Sequence, residues 1–245
     1  MNGFPLVTAH TGCMNTPENS QASALAGLAL GADIIEDDIR MTRDGVLVLS
    51  HDDGIRLRDG REGFVSRMTL EELKEQAGPL TPLEPVLQTV VDAGRVMNLD
   101  IKTDDCLELL SERLERLGLI EQTFLSGCEY GRAQRMEACN PRIRKLLNVS
   151  PAGFLNGSLY ADAVRQICEH AVSSGCFGLN LAVPLVRPEL PELAAAYGLD
   201  VYVWTVDDEE RMRRLAGMGV RSITTKRVDL LMNVKRSRQG AGREA

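Results

Sequence analysis

The chain has 245 residues, 35 Asp plus Glu against 28 Lys plus Arg, a formal charge of −7 and 44% hydrophobic content. That balance supplies a sizeable core and excludes long disorder, collagen and coiled-coil architectures, while an acidic surface excludes broad nucleic-acid binding, which needs a basic footprint. No apolar run approaches the roughly 18 residues of a membrane span, residues 1–10 lack a basic start and an apolar signal core, and the six cysteines form no CxxC pair, so reduced thiols in a cytoplasmic protein are expected.

Short β-type apolar runs alternate with helical patterns along the whole chain. In order, the strand candidates are Leu6–Ala9, Asp33–Ile39, Val46–Ser50, Val96–Ile101, Gln122–Ser126, Ile143–Val149, Cys176–Asn180, Val201–Thr205 and Val220–Thr224. Most are near-continuously apolar, as strands buried on both faces should be. Between them lie amphipathic segments; in 107–117, Leu107, Leu110, Leu114 and Leu117 share one face and Glu and Arg occupy the other. Gly31 follows an Ala-rich helix over 20–30, where a left-handed stop is expected. Only Arg40–Gly45 separates the second candidate from the third, too short for a crossover helix, so these two should form an antiparallel hairpin. With its turn near Thr42–Asp44, residues summing to about 87 would pair, placing His51 across from Glu36. The other eight candidates give the alternation of a TIM-type (β/α)8 barrel with one extra antiparallel hairpin strand after strand 2. The expected organisation is one catalytic barrel over 1–234 and a disordered tail over 235–245, which lacks a large apolar anchor.

Strand ends of such a barrel carry the active site. Strand 1 ends in Thr8-Ala9-His10, the hairpin return in His51-Asp52-Asp53, and the strand over 96–101 in Asp100-Ile101-Lys102. Period-2 geometry sets Glu36 and Asp38 on one face and Asp37 on the other. Two carboxylates on an apolar strand are costly to bury without a cation or hydrogen bonds. Asp100 adds a third hard oxygen donor at the same mouth, a chemistry of Mg²⁺ or Ca²⁺ rather than zinc. His10 and His51, two of only three histidines, suit proton transfer near neutral pH. Lys102 suits an anionic substrate. Each residue also has a plainer reading: Glu36 and Asp38 as rim salt bridges, a strand-end histidine as structural, Lys102 as a solvated charge, Trp204 as core packing rather than pocket lining. Cys13, after His10, has no dyad to make it a nucleophile.

The ordered set Ala9-His10, Pro17-Glu18-Asn19, 31–38 (GADIIEDD), Thr42-Arg43-Asp44-Gly45, Ser50-His51-Asp52, Thr69-Leu70-Glu71-Glu72-Leu73, Asp100-Ile101-Lys102 and Val203-Trp204-Thr205-Val206 resembles the glycerophosphodiester phosphodiesterase family over nearly the whole chain. The resemblance implies a barrel that hydrolyses glycerophosphodiesters to glycerol 3-phosphate and an alcohol with a divalent cation. It implies Glu36, Asp38 and Asp100 as metal ligands, with Glu18 as a further carboxylate near the metal. His10 and His51 would be the acid/base pair, and Lys102, Thr11 and Trp204 would face the substrate. Three positions depart from the family pattern: Thr11 stands where Arg follows the first histidine, Asp100 where Glu is usual, and Lys226 where an acidic residue is usual. The partner expected is a small-molecule phosphodiester, with no nucleic acid and no transmembrane segment. The alternatives are a related phosphodiesterase for another headgroup and a catalytically weak barrel that binds a phosphorylated ligand. Sequence leaves the oligomeric state open.

Overall fold

The computed structural model describes residues 3–154 and 159–241. Its strands in chain order are β1 (Leu6–Ala9), β2 (Ile34–Met41), β3 (Leu47–Leu49), β4 (Gly54–Arg56), β5 (Glu62–Phe64) and β6 (Thr81–Pro82), then β7 (Val96–Ile101), β8 (Thr123–Cys128), β9 (Lys145–Asn148), β10 (Gly178–Ala182), β11 (Asp200–Trp204) and β12 (Ser222–Thr225). The helices that cover them are α1 (Gln21–Ala29), α2 (Leu70–Gln76), α3 (Leu83–Asp92), α4 (Leu107–Leu117), α5 (Tyr130–Cys139), α6 (Tyr160–Ser173), α7 (Leu190–Ala195), α8 (Glu209–Met218) and α9 (Val228–Ala241).

The parallel order β1-β12-β11-β10-β9-β8-β7-β2 closes through β1–β2 into an eight-stranded barrel, as expected. Its strands begin and end within two residues of their anticipated bounds. Local chemistry marks several helix starts: Ser20 accepts from Ser23 N, Asp208 from Arg211 N, and Thr69 with Glu72 forms a capping box on α2. Gly27 lets α1 lie close to the barrel, because a Cβ there would come within 2.6 Å of Ala9 Cβ and 2.8 Å of Ile35 Cδ1.

Two expectations need correction. The hairpin pairs Ile39 with Leu49, Arg40 with Val48 and Met41 with Leu47, a sum of 88. Thr42 N donates to Val46 O and Gly45 N to Thr42 O, which centres the turn on Asp44, one residue off the anticipated register. His51 therefore does not pair with Glu36; it follows Ser50, whose N–H donates to Asp38 O. The second correction is the tail. Helix α9 runs through 235–241, past the anticipated boundary at 234, held by charged side chains rather than apolar ones: Lys235 Nζ donates to Asp33 Oδ2 at 3.1 Å and Arg238 to Ala216 O. Residues 242–245 lie outside the described residues. Sequence patterning also did not anticipate the β4–β5 ribbon or β6, which together with α2 close a small core of Val48, Val65 and Leu73 beside the hairpin.

Inside the barrel, register stacks side chains in layers. Ile34 pairs with Val96, Glu36 with Asn98 and Asp38 with Asp100. The lowest layer is apolar: Ile34, Phe124, Leu146 and Tyr202, with Phe124 edge-on to both Phe177 and Tyr202 at 5.6 Å. Glu36 and Asn98 follow one pair further along β2 and β7, Asp38 and Asp100 one pair beyond them, and all four line the same cavity as Asn180, Thr224 and Trp204. The chemistry therefore concentrates at the C-terminal ends of the strands, above a plug of hydrocarbon.

Candidate active site

Glu36, Asp38 and Asp100 each offer a carboxylate oxygen within 4.8 Å of the others, from two adjacent strands. Each is further held. Thr11 N donates to Glu36 Oε2 at 3.1 Å, Ser126 Oγ to Asp100 Oδ1, and the Asn19 amide clasps Asp38 twice, donating to Oδ2 and accepting from the backbone N, both at 3.0 Å. Burial pushes the Glu36 carboxyl well above the carboxylate range, and the charges of Asp38, Asp100 and Asp37 push it further.

Lys102 reaches into this cluster, its Nζ 2.9 Å from Asp38 Oδ1 and 2.5 Å from Asp100 Oδ2. Burial works against its charge, but Asp100 and Asp38 override that and raise its pKa. One ammonium against three carboxylates leaves the cluster short of positive charge, and Lys102 has no contact with Glu36 among the described hydrogen bonds. A donor set of hard, mostly buried oxygens with unbalanced negative charge fits a divalent cation of the Mg²⁺ or Ca²⁺ type.

The two histidines are set differently. His10 Nδ1 lies 2.9 Å from Thr11 O, and since a carbonyl only accepts, Nδ1 carries the proton. Its Nε2 faces Glu36 Oε2 at 3.9 Å. His51 is exposed, with Nδ1 2.8 Å from Asp52 Oδ1 and its carbonyl bonded by Arg40 Nε at 2.9 Å. The imidazole holds the Asp52 carboxyl below its ordinary range. In both rings Nε2 is the nitrogen left free.

A cavity of about 360 Å³ gathers all nine anticipated site residues. Glu18 lines it but stands apart from the three clustered carboxylates, because its Oε1 binds Lys226 Nζ. Its stem lies against Gly12, at φ +74°, where a Cβ would meet Glu18 Cγ at 2.6 Å. Thr11 is buried, and its hydroxyl accepts from Asn19 N at 2.5 Å, so it braces the same loop that grips Asp38. Trp204 is 37% exposed at the rim, lining the pocket rather than packing in the core. Cys13 is buried and burial raises its thiol pKa, which leaves no thiolate nucleophile. Asp37 points away from the mouth, fully buried, with neither oxygen bonded; burial pushes it up to about 7.

Sequence reasoning missed Asn19, Asn98, Ser126, Asn148, Asn180 and Thr224. The last five also line the cavity. Four of the six interrupt apolar strands at inward positions, a parity signal that was readable; Asn148 and the Asn19 clasp needed the folded chain.

Residues 10–230 match the Glycerophosphoryl diester phosphodiesterase family. A glycerophosphodiester phosphodiesterase of Caldanaerobacter subterraneus subsp. tengcongensis is 29% identical, over 94% of this chain and 98% of the relative. Probable glycerophosphodiester phosphodiesterase 2 of Mycobacterium tuberculosis is 29% identical over 95% of this chain and 91% of its own length. Among solved structures, a putative glycerophosphoryl diester phosphodiesterase from Silicibacter pomeroyi superposes with a TM-score of 0.83 at 20% identity, covering 98% and 95% of the two chains. An Oleispira antarctica phosphodiesterase in complex with the product sn-glycerol-3-phosphate does so with 0.76 at 22% identity, covering 94% and 96%.

Proposed function

The chain belongs to the glycerophosphoryl diester phosphodiesterase family, and on that footing we propose that it hydrolyses glycerophosphodiesters to glycerol 3-phosphate and an alcohol. The observation that carries this reading is the convergence of three carboxylates, one lysine and two histidines in a single cavity. Glu36, Asp38 and Asp100 would hold a divalent cation, which when bound supplies charge neutralisation at the phosphoryl oxygens. Lys102, tethered between Asp38 and Asp100, adds a fixed positive charge for the same oxygens. His10, its Nδ1 proton committed to Thr11 O, presents a basic Nε2 to the cavity; His51 is oriented in the same sense by Asp52. One imidazole takes the proton from the attacking oxygen on its free Nε2, and the other, entering as the imidazolium with a second proton on Nε2, delivers that proton to the departing alkoxide. Glu18 enters this reading as a strut to Lys226 rather than as a ligand.

The product complex of the Oleispira antarctica phosphodiesterase supports glycerol 3-phosphate as the product here. The test is a panel of glycerophosphodiesters assayed with Mg²⁺, Ca²⁺, Mn²⁺ and a chelator, with Tm recorded in parallel. Expected is turnover abolished by chelation, a Tm raised by the cation, and most of that Tm shift removed by Glu36→Gln. Turnover indifferent to chelation, with no Tm shift from any of the three ions, overturns the cation site.

A further inference from the structure

We propose that Lys226 is a positioning residue for the cation site: it staples the loop over 11–19 in the shape that fixes Glu36 and Asp38, and so sets how tightly the cation is held. The inference rests on the cation reading above and adds what keeps its ligands in place.

The loop after β1 reaches two of the three carboxylates, through Thr11 N on Glu36 and the Asn19 clasp on Asp38. Its backbone is strained along the way. Gly12 is left-handed at φ +74°, which glycine accepts, but so are Met14 at +56°, Asn15 at +61° and Asn19 at +53°. Side chains disfavour that region, Met most of the three, since asparagine can bond locally there. Such a conformation persists only where its surroundings enforce it.

Lys226 enforces it at two points. Its carbonyl accepts from Met14 N at 2.9 Å, at the first of the strained non-glycine residues, and its Nζ donates to Glu18 Oε1 beside Asn19. Lys226 is itself rooted: Asp207 Oδ1 accepts from its N at 2.7 Å and from Thr225 Oγ1 at 3.0 Å, and Thr225 O accepts from His10 N. It does not line the cavity, so its action runs through the loop and not through substrate. The backbone grip outlasts a side-chain substitution; the Nζ grip does not. Without Nζ, Glu18 loses its tether and Asn19 is freer to leave Asp38. A cation then binds only the fraction of molecules whose loop is closed, and its apparent affinity falls by that fraction. Simple electrostatics gives the opposite sign, because taking a positive charge away from a cation site removes repulsion.

The experiment is calorimetry of Mn²⁺ and Mg²⁺ binding to the full chain, with hydrogen exchange followed in peptides that cover 11–19. Lys226→Met should weaken the cation about two- to fivefold, the scale of an exposed ion pair, and speed exchange in the loop. Lys226→Arg, which keeps the charge, should hold the wild-type affinity. In kcat/KM, Lys226→Met should fall by the same factor at sub-saturating cation and return to wild type at saturating cation, which a lost substrate contact would not do. Unchanged or tighter cation binding in Lys226→Met overturns the proposal and leaves the cation site standing. So does loop exchange equal to wild type, a Lys226→Arg as weak as Lys226→Met, or a deficit that saturating cation leaves in place. Should Lys226→Met fail to fold, Lys226→Gln is read by the same measures. A wild type that binds neither ion overturns the cation reading, and this inference with it.

Discussion

The floor and the mouth of the barrel are built from the same strands, yet they obey opposite rules. On β2, Ile34 sits in a dry layer with Phe124, Leu146 and Tyr202, while Glu36 and Asp38 follow two and four residues later among like charges. Two residues of strand rise only about 7 Å. Below, side chains satisfy one another and removal of any leaves a hole. Above, burial raises Glu36, carboxylates repel, and Asn98 keeps an unbonded oxygen. The lower layer supplies cohesion, and the upper layer spends part of it on groups aimed at a ligand. The same hydrogen bonds that offset the strain, from Thr11, Asn19 and Ser126, also fix the carboxylates in place.

Substitution can separate these two regimes. The largest expected effect is at the mouth: His10→Ala or His51→Ala should lower kcat by about 10²–10⁴-fold with Tm and cation affinity nearly unchanged. Steady-state kinetics with parallel melting curves check this, and near-full turnover in either variant reassigns that histidine. At the floor, Phe124→Ala should cost about 3–5 kcal/mol in denaturant unfolding, because the ring is enclosed and edge-packed on two others. A loss under 1 kcal/mol would mean that the plug is not where cohesion resides.

A third probe lies outside both layers. Asp37 is raised from 3.8 to about 7, chiefly by burial, so between those values the native state keeps a proton that the unfolded chain has lost. The contribution of Asp37 to stability should therefore fall as pH rises from 4 to 7, by a total on the order of 4 kcal/mol, and level off above. Asp37→Asn should remove its part of that slope and leave the part due to Glu36, matching wild type near pH 4 and exceeding it at pH 8. Unfolding curves across this range decide it; parallel profiles for the two proteins would show that Asp37 is charged at little cost.

Much was legible before folding because it depends on neighbours in sequence. Alternation of apolar runs with amphipathic helices fixes the barrel, and strand parity alone sets Glu36 and Asp38 together and Asp37 apart. His10, His51, Asp100 and Lys102 could be placed at strand ends by the same means. Register was less secure, since a shift of half a residue in the turn centre moves the pairing by one, as at Asp44. Charge compensation was not legible at all. That Glu18 would meet Lys226, 208 positions away, rather than join the carboxylates depends on two loops from opposite ends of the chain arriving side by side. So does the Asn19 clasp on Asp38, and so does the anchoring of α9 by Lys235 on Asp33. Local pattern decides which face a side chain takes; only closure of the barrel brings β1 beside β12 and decides which charges share a space, because Coulombic and hydrogen-bond partners are chosen by distance and not by separation along the chain.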